Sequence, residues 1–344
     1  MPQEVPAELD LDSVVADIMG TIEREREREI VARRFGLFDR RETLEQIGEL
    51  LGITRERVRQ LEKVIVTRLK AAAQNDLPHM DRVQVVLGRH LNDLGDVAKV
   101  ADLTAKIKPA NSKTDQSKVV FLAHLSPQLV VLDDNDHFFH AVGAAQRHTE
   151  KTIRVMVGKI VEAISEIRQP TTIEAITEKV GSKDSKHTQA LASVSKQIAT
   201  LNGRWGSVRW PMVNPRNIRD KIYVVLYDKN KPMHFSEIAE AIKASDFKRK
   251  DVTTQAIHNE LIKDKRFVLI GRGIYALSEW GYKKGTVADV IAEVLKKEAG
   301  PLHRDEIVRR VLKSRSVKET TVLLNLQGKP QFKRVAKATY TLAE

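Results

Sequence analysis

Residues 43–62 read TLEQIGELLGITRERVRQLE and predict two short helices joined by a tight turn. The apolar side chains of the first helix recur at helical spacing and line one face, at Leu44, Ile47, Leu50 and Leu51. Gly52 interrupts the pattern where the backbone must reverse, and Thr54 has the side chain that an N-cap requires. In the second helix, Val58 and Leu61 stand three residues apart and are expected to be buried. The pattern predicts a helix-turn-helix.

The second helix turns charged and amide side chains outward, and these residue types suit base recognition. In the major groove an arginine suits guanine, a glutamate suits the cytosine amino group and a glutamine suits adenine. Arg57 and Arg59 are better suited to phosphates. The alternative is a solvated surface helix whose charges pair with neighbouring side chains, since Arg/Glu-rich runs are common on such helices. The RERVRQ run alone leaves both interpretations open.

The flanking sequence favours the DNA-binding interpretation. Residues 23–69, which include the RFGL run at Arg34–Leu37, resemble region four of the primary-type sigma factors of bacterial RNA polymerase. The resemblance implies that the second helix reads the promoter −35 element in the major groove of duplex DNA. It also implies that the module docks on core RNA polymerase, at the beta flap. The residues that the resemblance assigns to bases are Arg55, Glu56 and Gln60, and those that it assigns to phosphates are Thr54, Arg57, Arg59 and Lys63.

One segment departs from the family pattern. The loop before the first helix, FDRRETL at residues 38–44, is short and basic and lacks the glycine that is usual there. The contacts of this loop are therefore left open.

Composition limits the classes of protein that this chain can belong to. A length of 344 residues predicts several small domains behind the helix-turn-helix rather than one large core. The chain has no cysteine, which excludes disulfides and thiolate zinc sites. It has no long apolar run, and its first residues, MPQEVPAELDLD, are acidic where a signal peptide would be basic. We therefore expect a cytoplasmic, nucleoid-associated protein with no membrane partner.

Positive charge is concentrated in the second part of the chain. The net charge is +12, and residues 201–344 carry 29 Lys+Arg against 16 Asp+Glu, whereas the first 200 residues carry 29 against 30. This asymmetry predicts that the far part attracts phosphates without sequence preference while the near part reads sequence. The alternative is that these lysines mainly provide solubility.

The first half of the chain predicts three segments. Residues 1–20 form an acidic lead and a short amphipathic helix that packs on the helix starting near Thr21, and residues 21–78 form the helix-turn-helix. In residues 81–147 the pattern predicts three helices and a hairpin, which together make a winged helix. The expected bounds in that third segment are a second helix over Val97–Ile107, a polar loop over Pro109–Ser117, a third helix over Lys118–Leu125 and a turn at Asp133–Asp136.

The same order of elements is predicted to return in residues 151–215 and again in residues 216–283. In residues 151–215 we expect helices over Ile153–Ile167, from Thr172 and over Thr188–Leu201, followed by a short strand pair within GRWGSVRWPMVNP.

Residues 286–344 repeat residues 216–283. Two sets of residues recur at constant offsets: Pro232, His234, Glu237 and Ile238 match Pro301, His303, Glu306 and Ile307 at an offset of 69, and Phe267, Tyr275 and Leu277 match Phe332, Tyr340 and Leu342 at 65. Two constant offsets separated by one short deletion are typical of a duplicated domain. The predicted fold is mainly α, with an N-terminal helix-turn-helix followed by tandem winged-helix modules.

Residues 217–283 resemble the HARE-type winged helix-turn-helix domain of the RNA polymerase delta subunit. The resemblance is carried by NKPMHFSEIAEAI and by RFVLIGRGIYALSEWGY, and residues 286–344 form a more distant copy. It implies polymerase association or DNA binding, with Thr253–Lys263 as the candidate groove helix. The cations on or near that helix and its wing are Lys263, Lys265, Arg266 and Arg272. These cations fit a DNA or partner surface and a generic solvated face equally well.

No catalytic or metal site emerges from the remaining motifs. His137 and His140 lie close to Asp133, Asp134 and Asp136, but a three-residue spacing in a hairpin puts the two rings on opposite faces. His234 and His303 precede helices in equivalent repeat positions and suit a structural role. HARE domains also occur fused to nucleases, and the nearest approach to a nuclease motif is DSK at Asp184–Lys186. We expect no enzyme, no cofactor and no metal.

These observations predict a DNA-binding transcription factor that reads −35-like promoter DNA and associates with RNA polymerase. The resemblance to sigma factors implies that promoter opening uses an aromatic-rich domain that traps unstacked bases. Because no tryptophan occurs before Trp205 and no aromatic-rich segment precedes residue 23, we expect no promoter-melting domain and therefore not a complete sigma factor. The alternative is a scaffold whose winged helices bind polymerase or other proteins, and a nuclease-associated DNA-binding protein is a weaker third.

Overall fold

The computed structural model describes residues 9–282, 285–298, 300–315 and 317–343. It is mainly helical with small antiparallel sheets, and it divides into two compact units, Met1–Arg209 and Trp210–Glu344, here unit one and unit two. The start of the predicted lead, residues 1–8, lies outside the described residues. Among the helices of the described ranges, none is long and apolar enough to cross a membrane.

Unit one begins with five helices that have clear local stop and start signals. They are α1 (Leu11–Gly20), α2 (Glu25–Phe35), α3 (Leu44–Leu51), α4 (Arg55–Ala72) and α5 (Met80–Leu94). The carboxylate of Asp10 caps α1 by accepting a hydrogen bond from the backbone N–H of Asp12 at 3.0 Å. Gly36 ends α2 in the left-handed region, with φ of 68°, a conformation that glycine adopts without steric cost.

Two separate clusters of buried side chains hold α4. In its first half, Val58 packs with Ile30 and Ile47 in a small cluster. In its second half, Ile65 and Leu69 belong to a larger cluster that also includes side chains of α1 and α5. The second half of α4 is therefore anchored in the body of unit one, and the first half carries the helix-turn-helix.

The segment after α5 combines helices with a small sheet. Its elements are β1 (Val97–Lys99), α6 (Val100–Ile107), α7 (Lys113–Leu125), β2 (Leu129–Leu132) and β3 (Ala141–Ala144). The sheet order is β1-β3-β2, with both pairs antiparallel. α1 packs mainly against α7, and it shares the larger buried cluster with Val31 of α2, the helix on which it was predicted to pack.

Three predicted bounds in this segment need correction. The helix predicted over Val97–Ile107 starts only at Val100, because Val97–Lys99 pair with β3. The third helix starts at Lys113 rather than Lys118, since Ser112 and Asp115 form a capping box in the stretch predicted as loop. The connection between β2 and β3 extends over residues 133–140, beyond the four-residue turn that was predicted.

The last part of unit one has three helices and a hairpin. They are α8 (Glu150–Ile167), α9 (Ile173–Lys179), α10 (Ser185–Ser193), β4 (Ile198–Leu201) and β5 (Arg204–Ser207). The helix predicted over Thr188–Leu201 thus ends at Ser193, and the strand pair begins before the segment predicted for it. The reason is the turn at Asn202 and Gly203, both with positive φ, which is the Asn-Gly pair preferred by two-residue hairpins.

Unit two contains the same series of elements twice. The first series is α11 (Ile218–Lys229), β6 (Met233–His234), α12 (Phe235–Ala244), α13 (Thr254–Lys263), β7 (Phe267–Gly271) and β8 (Ile274–Leu277), and a short 3-10 helix follows at Ser278–Trp280. The second is α14 (Val287–Lys297), β9 (Leu302–His303), α15 (Arg304–Ser314), α16 (Glu319–Gly328), β10 (Phe332–Ala336) and β11 (Thr339–Leu342). The sheet orders, β6-β8-β7 and β9-β11-β10, are equivalent.

Strand register in unit two follows the two sequence offsets. Phe267 pairs with Leu277, and Phe332 pairs with Leu342. Met233 pairs with Tyr275, and Leu302 pairs with Tyr340. In each series a histidine caps the second helix, since the ring nitrogens of His234 and His303 accept hydrogen bonds from the backbone N–H of Ser236 and Asp305, both at 3.3 Å. The two series therefore share one backbone plan, as the duplication predicts.

Candidate nucleic-acid interface

The turn between α3 and α4 is fixed by local contacts. Thr43 and Gln46 form a capping box at the start of α3, with hydrogen bonds of 3.2 and 2.9 Å. Gly52 ends α3 with φ of 63°. A Cβ at position 48 would lie 2.7 Å from the carbonyl oxygen of Ile53, so only glycine lets the chain pass this close to α3. These contacts define the start of α3 and the path of the chain into α4.

Thr54 caps α4, as the sequence predicted. Its hydroxyl accepts a hydrogen bond from the backbone N–H of Arg57 at 3.2 Å. Thr54 and Arg55 are exposed, so the first turn of the helix faces solvent. Because a helix N-terminus carries a partial positive charge, this end of α4 favours a phosphate.

The buried face of the helix-turn-helix is narrower than the sequence predicted. Ile47 and Val58 are fully buried, and Leu44, Leu51 and Leu61 pack partly buried around them. Leu50, on the same apolar face of α3, is however 54% exposed, so the neighbouring helices do not cover the whole face. Leu50 lies about 60° around α3 from Ile47, beyond the arc that α2 and α4 cover.

The exposed side chains of α4 share one face. Taking about 100° per residue, Arg55, Glu56, Arg59, Gln60 and Lys63 fall within one arc of about 140° that runs from beside Val58 to the opposite side of the helix, and all five are exposed. An α-helix with its side chains is about 10–12 Å in diameter, which is close to the width of the major groove, about 12 Å. The geometry therefore allows this face to enter the groove of a DNA duplex without rearrangement of the fold.

Hydrogen bonds link the polar side chains on this face. The carboxylate of Glu56 accepts two hydrogen bonds from the guanidinium of Arg59, at 2.8 and 2.7 Å, and one from the amide of Gln60 at 3.3 Å. Arg57 donates to the amide oxygen of Gln60 at 3.4 Å. The hydrogen bonds from Arg59 lower the pKa of Glu56, which keeps this carboxylate ionised and able to accept from a cytosine amino group.

Two cations on the exposed face of α4 take no part in the hydrogen bonds around Glu56. Arg55 and Lys63 form no ion pair with a carboxylate of the residues that the structure describes. The exposed bonds around Glu56 are also exchangeable, because solvent-exposed ion pairs contribute only about 0–1 kcal/mol. The whole face can therefore exchange its internal hydrogen bonds for contacts with DNA.

Charged residues of α2 position the helix-turn-helix, a role that sequence reasoning missed. Arg26 donates to the carbonyl oxygen of Leu51 at 2.6 Å, at the end of α3. Arg34 pairs with Glu62 at 3.2 Å, and Arg68 pairs with Glu27 at 2.9 Å. By itself, the run of alternating charges at residues 23–29 predicts little beyond surface stability. Their partners lie 25 to 41 residues away along the chain, so no local pattern could have identified them.

The four cations predicted as a DNA or partner surface in unit two fall into two groups. Lys263, Lys265 and Arg272 are exposed. Arg266 instead pairs with Asp264 at 2.7 Å and with Asp220 at 3.2 Å, and these contacts raise its pKa.

Arg266 also lies over the ring of Tyr223, 5.3 Å from the ring centroid. It is thus built into the fold of unit two. On the candidate groove helix α13, Ile262 is 61% exposed beside Lys263, and an apolar side chain at that place suits a protein contact better than a phosphate contact.

The two histidines considered for metal binding, His137 and His140, lie in different surroundings. No group of three or more metal-ligating side chains occurs among the described residues. His137 is within hydrogen-bond distance of the amide of Gln197, at 2.8 Å. His140 lies 3.8 Å from Asp133, and burial lowers the pKa of its ring.

Comparison with known proteins identifies one part of the chain. Residues 24–71 match the family described as Sigma-70, region 4. Similar relatives are the RNA polymerase sigma factor sigB of Arabidopsis thaliana, 44% identical over 68 residues, and SigA of Bacillus sp, 41% identical over 61 residues. SigA1 of Synechococcus elongatus is 43% identical over 53 residues.

The similarity to these relatives is local. The aligned segments cover 20%, 17% and 15% of this chain and only 11%, 16% and 13% of the respective relatives. The matched residues run from the start of α2 to the end of α4 and include the whole exposed face. Residues 24–71 are therefore a sigma-70 region 4 domain with a DNA-binding helix-turn-helix.

Proposed function

We propose, starting from this region 4 domain, that the protein is a transcription factor that reads −35-like promoter DNA and associates with RNA polymerase. One observation carries the proposal. Arg55, Glu56 and Gln60 lie exposed on one face of α4, within the segment that matches sigma-70 region 4. No other described element of unit one packs over that face.

The side chains of α4 divide into two roles in this proposal. Arg55 donates to a guanine, Glu56 accepts from a cytosine amino group and Gln60 bonds an adenine, each in the major groove. The phosphate contacts come from the helix start and from the flanking cations, namely Thr54, Arg57, Arg59 and Lys63. Contacts of the first kind give sequence preference, and contacts of the second kind give affinity and register.

Association with core RNA polymerase is the second part of the proposal, and the beta flap is the site that the resemblance implies. Exposed apolar side chains outside the reading face support a protein contact here. Val64 is 64% exposed on α4, and Leu50 is 54% exposed on α3.

We further propose that four winged-helix modules follow the region 4 domain, over residues 81–147, 151–215, 216–283 and 286–344, with the third of the HARE type. The order helix, strand, helix, helix, strand, strand supports this in each segment. In residues 151–215 the first strand is reduced to a single bridge between Thr171 and Trp205. These domain bounds stay predictions.

A second candidate function is a scaffold in which the winged helices bind proteins. Ile262 favours it, because the exposed face of α13 presents an apolar side chain where a DNA-reading helix needs polar ones. Arg266, bound to two carboxylates, adds no free cation to that face. In this version the third module, with Lys263, Lys265 and Arg272, contacts polymerase or another protein while α4 still contacts DNA.

Binding measurements with the full chain separate these functions. The transcription-factor proposal expects the chain to shift a duplex with a −35-like element more strongly than a scrambled duplex, and to copurify with bacterial-type core polymerase. A pure scaffold binds the polymerase and no DNA. A nuclease-associated protein would cleave the duplex when Mg²⁺ is added, and we propose that the duplex stays intact.

A further inference from the structure

The two hairpins of unit two have the same backbone and different chemistry. β7–β8 and β10–β11 pair in equivalent registers, displaced by 65 positions in the sequence. Side chains at equivalent places nevertheless differ: Val268, Leu269 and Arg272 in the first hairpin correspond to Lys333, Arg334 and Lys337 in the second. The two copies thus carry different side chains on the same backbone plan.

The first hairpin is used for packing. Val268 and Ile270 are buried, and Trp280 and Tyr282 pack against them. The carbonyl oxygen of Leu269 accepts a hydrogen bond from the guanidinium of Arg315 at 2.6 Å. One side of β7–β8 therefore contacts other parts of unit two.

The second hairpin is exposed and cationic. Lys333, Arg334 and Lys337 are exposed, as is Lys329 just before β10. Residues 320–343 contain no aspartate or glutamate. None of these four cations forms an ion pair with a carboxylate in the described ranges, and Arg334 donates only to the carbonyl oxygen of Ala336, at 3.1 Å. Four positive charges therefore lie within nine residues of the sequence, at and just before this hairpin, without local compensation.

The exposed side chains of this hairpin indicate which class of partner it can bind. Its two aromatic residues, Phe332 and Tyr340, are each only 7% exposed, so they offer no surface on which the bases of a single strand could stack. On this hairpin, the large exposed apolar side chain that could anchor a protein is Val335. Protein interfaces instead favour aromatic anchors and are depleted in lysine. Phosphates of a duplex require only accessible cations.

We propose that the β10–β11 hairpin binds the phosphates of duplex DNA through Lys333, Arg334 and Lys337, and that Lys263, Lys265 and Arg272 of the third module do not. This inference rests on the proposed function, because it takes the duplex read by α4 as the partner. It also locates the sequence-independent attraction that the charge asymmetry predicts. In this proposal the hairpin of the first copy packs within unit two, and the hairpin of the second copy binds DNA.

A pair of matched variants of the full chain tests the inference. The hairpin variant replaces Lys333, Arg334 and Lys337 by alanine, and the control variant replaces Lys263, Lys265 and Arg272 by alanine, with the same loss of charge. Affinity for a duplex of random sequence is measured between about 50 and 200 mM salt. We expect the slope of log K against log salt to fall by about 2.7 in the hairpin variant, at about 0.9 per phosphate contact, and to stay unchanged in the control.

Other outcomes are equally informative. The conservative variant Lys333→Arg with Lys337→Arg should keep the wild-type slope. Thermal unfolding of the hairpin variant should match that of the wild-type chain, because its three replaced residues are exposed. If the duplex still binds but the hairpin variant keeps the wild-type slope, or the control variant loses as much, the inference is overturned and the proposed function stands. If the wild-type chain binds no duplex at all, both fail.

Discussion

Replacing Ile47 by alanine should loosen the first half of α4 while the rest of unit one stays folded. Ile47 is fully buried in a small cluster with Ile30 and Val58. Three such side chains contribute about 5–9 kcal/mol by burial, and truncating one isoleucine removes about 2–5 kcal/mol of that. The second half of α4 is held by Ile65 and Leu69 in the larger cluster, which the substitution does not touch.

Hydrogen exchange of the full chain measures this effect segment by segment. A loss of about 2–5 kcal/mol corresponds to exchange that is about 30 to 4,000 times faster for the most protected amides of α3 and of residues 55–62. Amides of α5 and α7 should keep their wild-type rates. Sequence-specific DNA binding should weaken in parallel, because the reading face no longer has one conformation.

Leu50 provides the matched control on the same helix. Because Leu50 is 54% exposed, its replacement by alanine should change stability by no more than about 0.5 kcal/mol. If α5 and α7 exchange as fast as α3 in Ile47→Ala, the two clusters do not hold α4 independently. If α3 keeps its protection, the small cluster contributes little, and the reasoning is refuted.

Two further predictions concern local contacts of unit one. Thr54→Ala should lower the free energy of unfolding by about 1 kcal/mol through loss of the N-cap, which is seen as a lower midpoint in denaturant titration. Thr54→Ser should keep the wild-type midpoint. Equal midpoints for the two variants would show that the cap is unimportant. Hydrogen bonds from Lys118 and Lys108 lower the pKa of Asp12, so its stabilisation is complete at neutral pH and is lost as pH falls below about 4. Asp12→Asn should therefore make the stability of unit one less sensitive to acid, and an unchanged acid transition would contradict this pairing.

Local signals in the sequence predict the region 4 fold well. The cap at Thr54 and the reversal at Gly52 depend on residues within one turn of the chain, so their residue types are sufficient evidence. The exposure of Leu50 could not be predicted, because helical spacing defines a stripe of apolar positions but not how much of that stripe the neighbouring helices cover. The Asn202 and Gly203 pair was a usable signal for the hairpin, and it fixes the strands several residues earlier than the tryptophan pattern suggested.

Contacts between distant parts of the chain could not be predicted. β1 exists because Val97 pairs with Gly143, and a strand of three residues has no pattern of its own. The same holds for Arg26, whose bond to Leu51 supports the turn. Charge counts also fail to separate cations by role: Arg266 and Arg334 look alike in sequence, but one is bound to two carboxylates and the other is exposed on a hairpin.

Selection of bound duplexes from a random pool, followed by sequencing, tests the central claim that α4 reads bases. The wild-type chain should enrich one motif, and Arg55→Ala should lose preference at one base pair of it, at a cost of about 1–3 kcal/mol on the preferred site. Arg28→Ala, an exposed arginine of α2, should enrich the wild-type motif. Absence of any enriched motif, or an equal loss by Arg55→Ala on every sequence, would contradict direct reading by this helix.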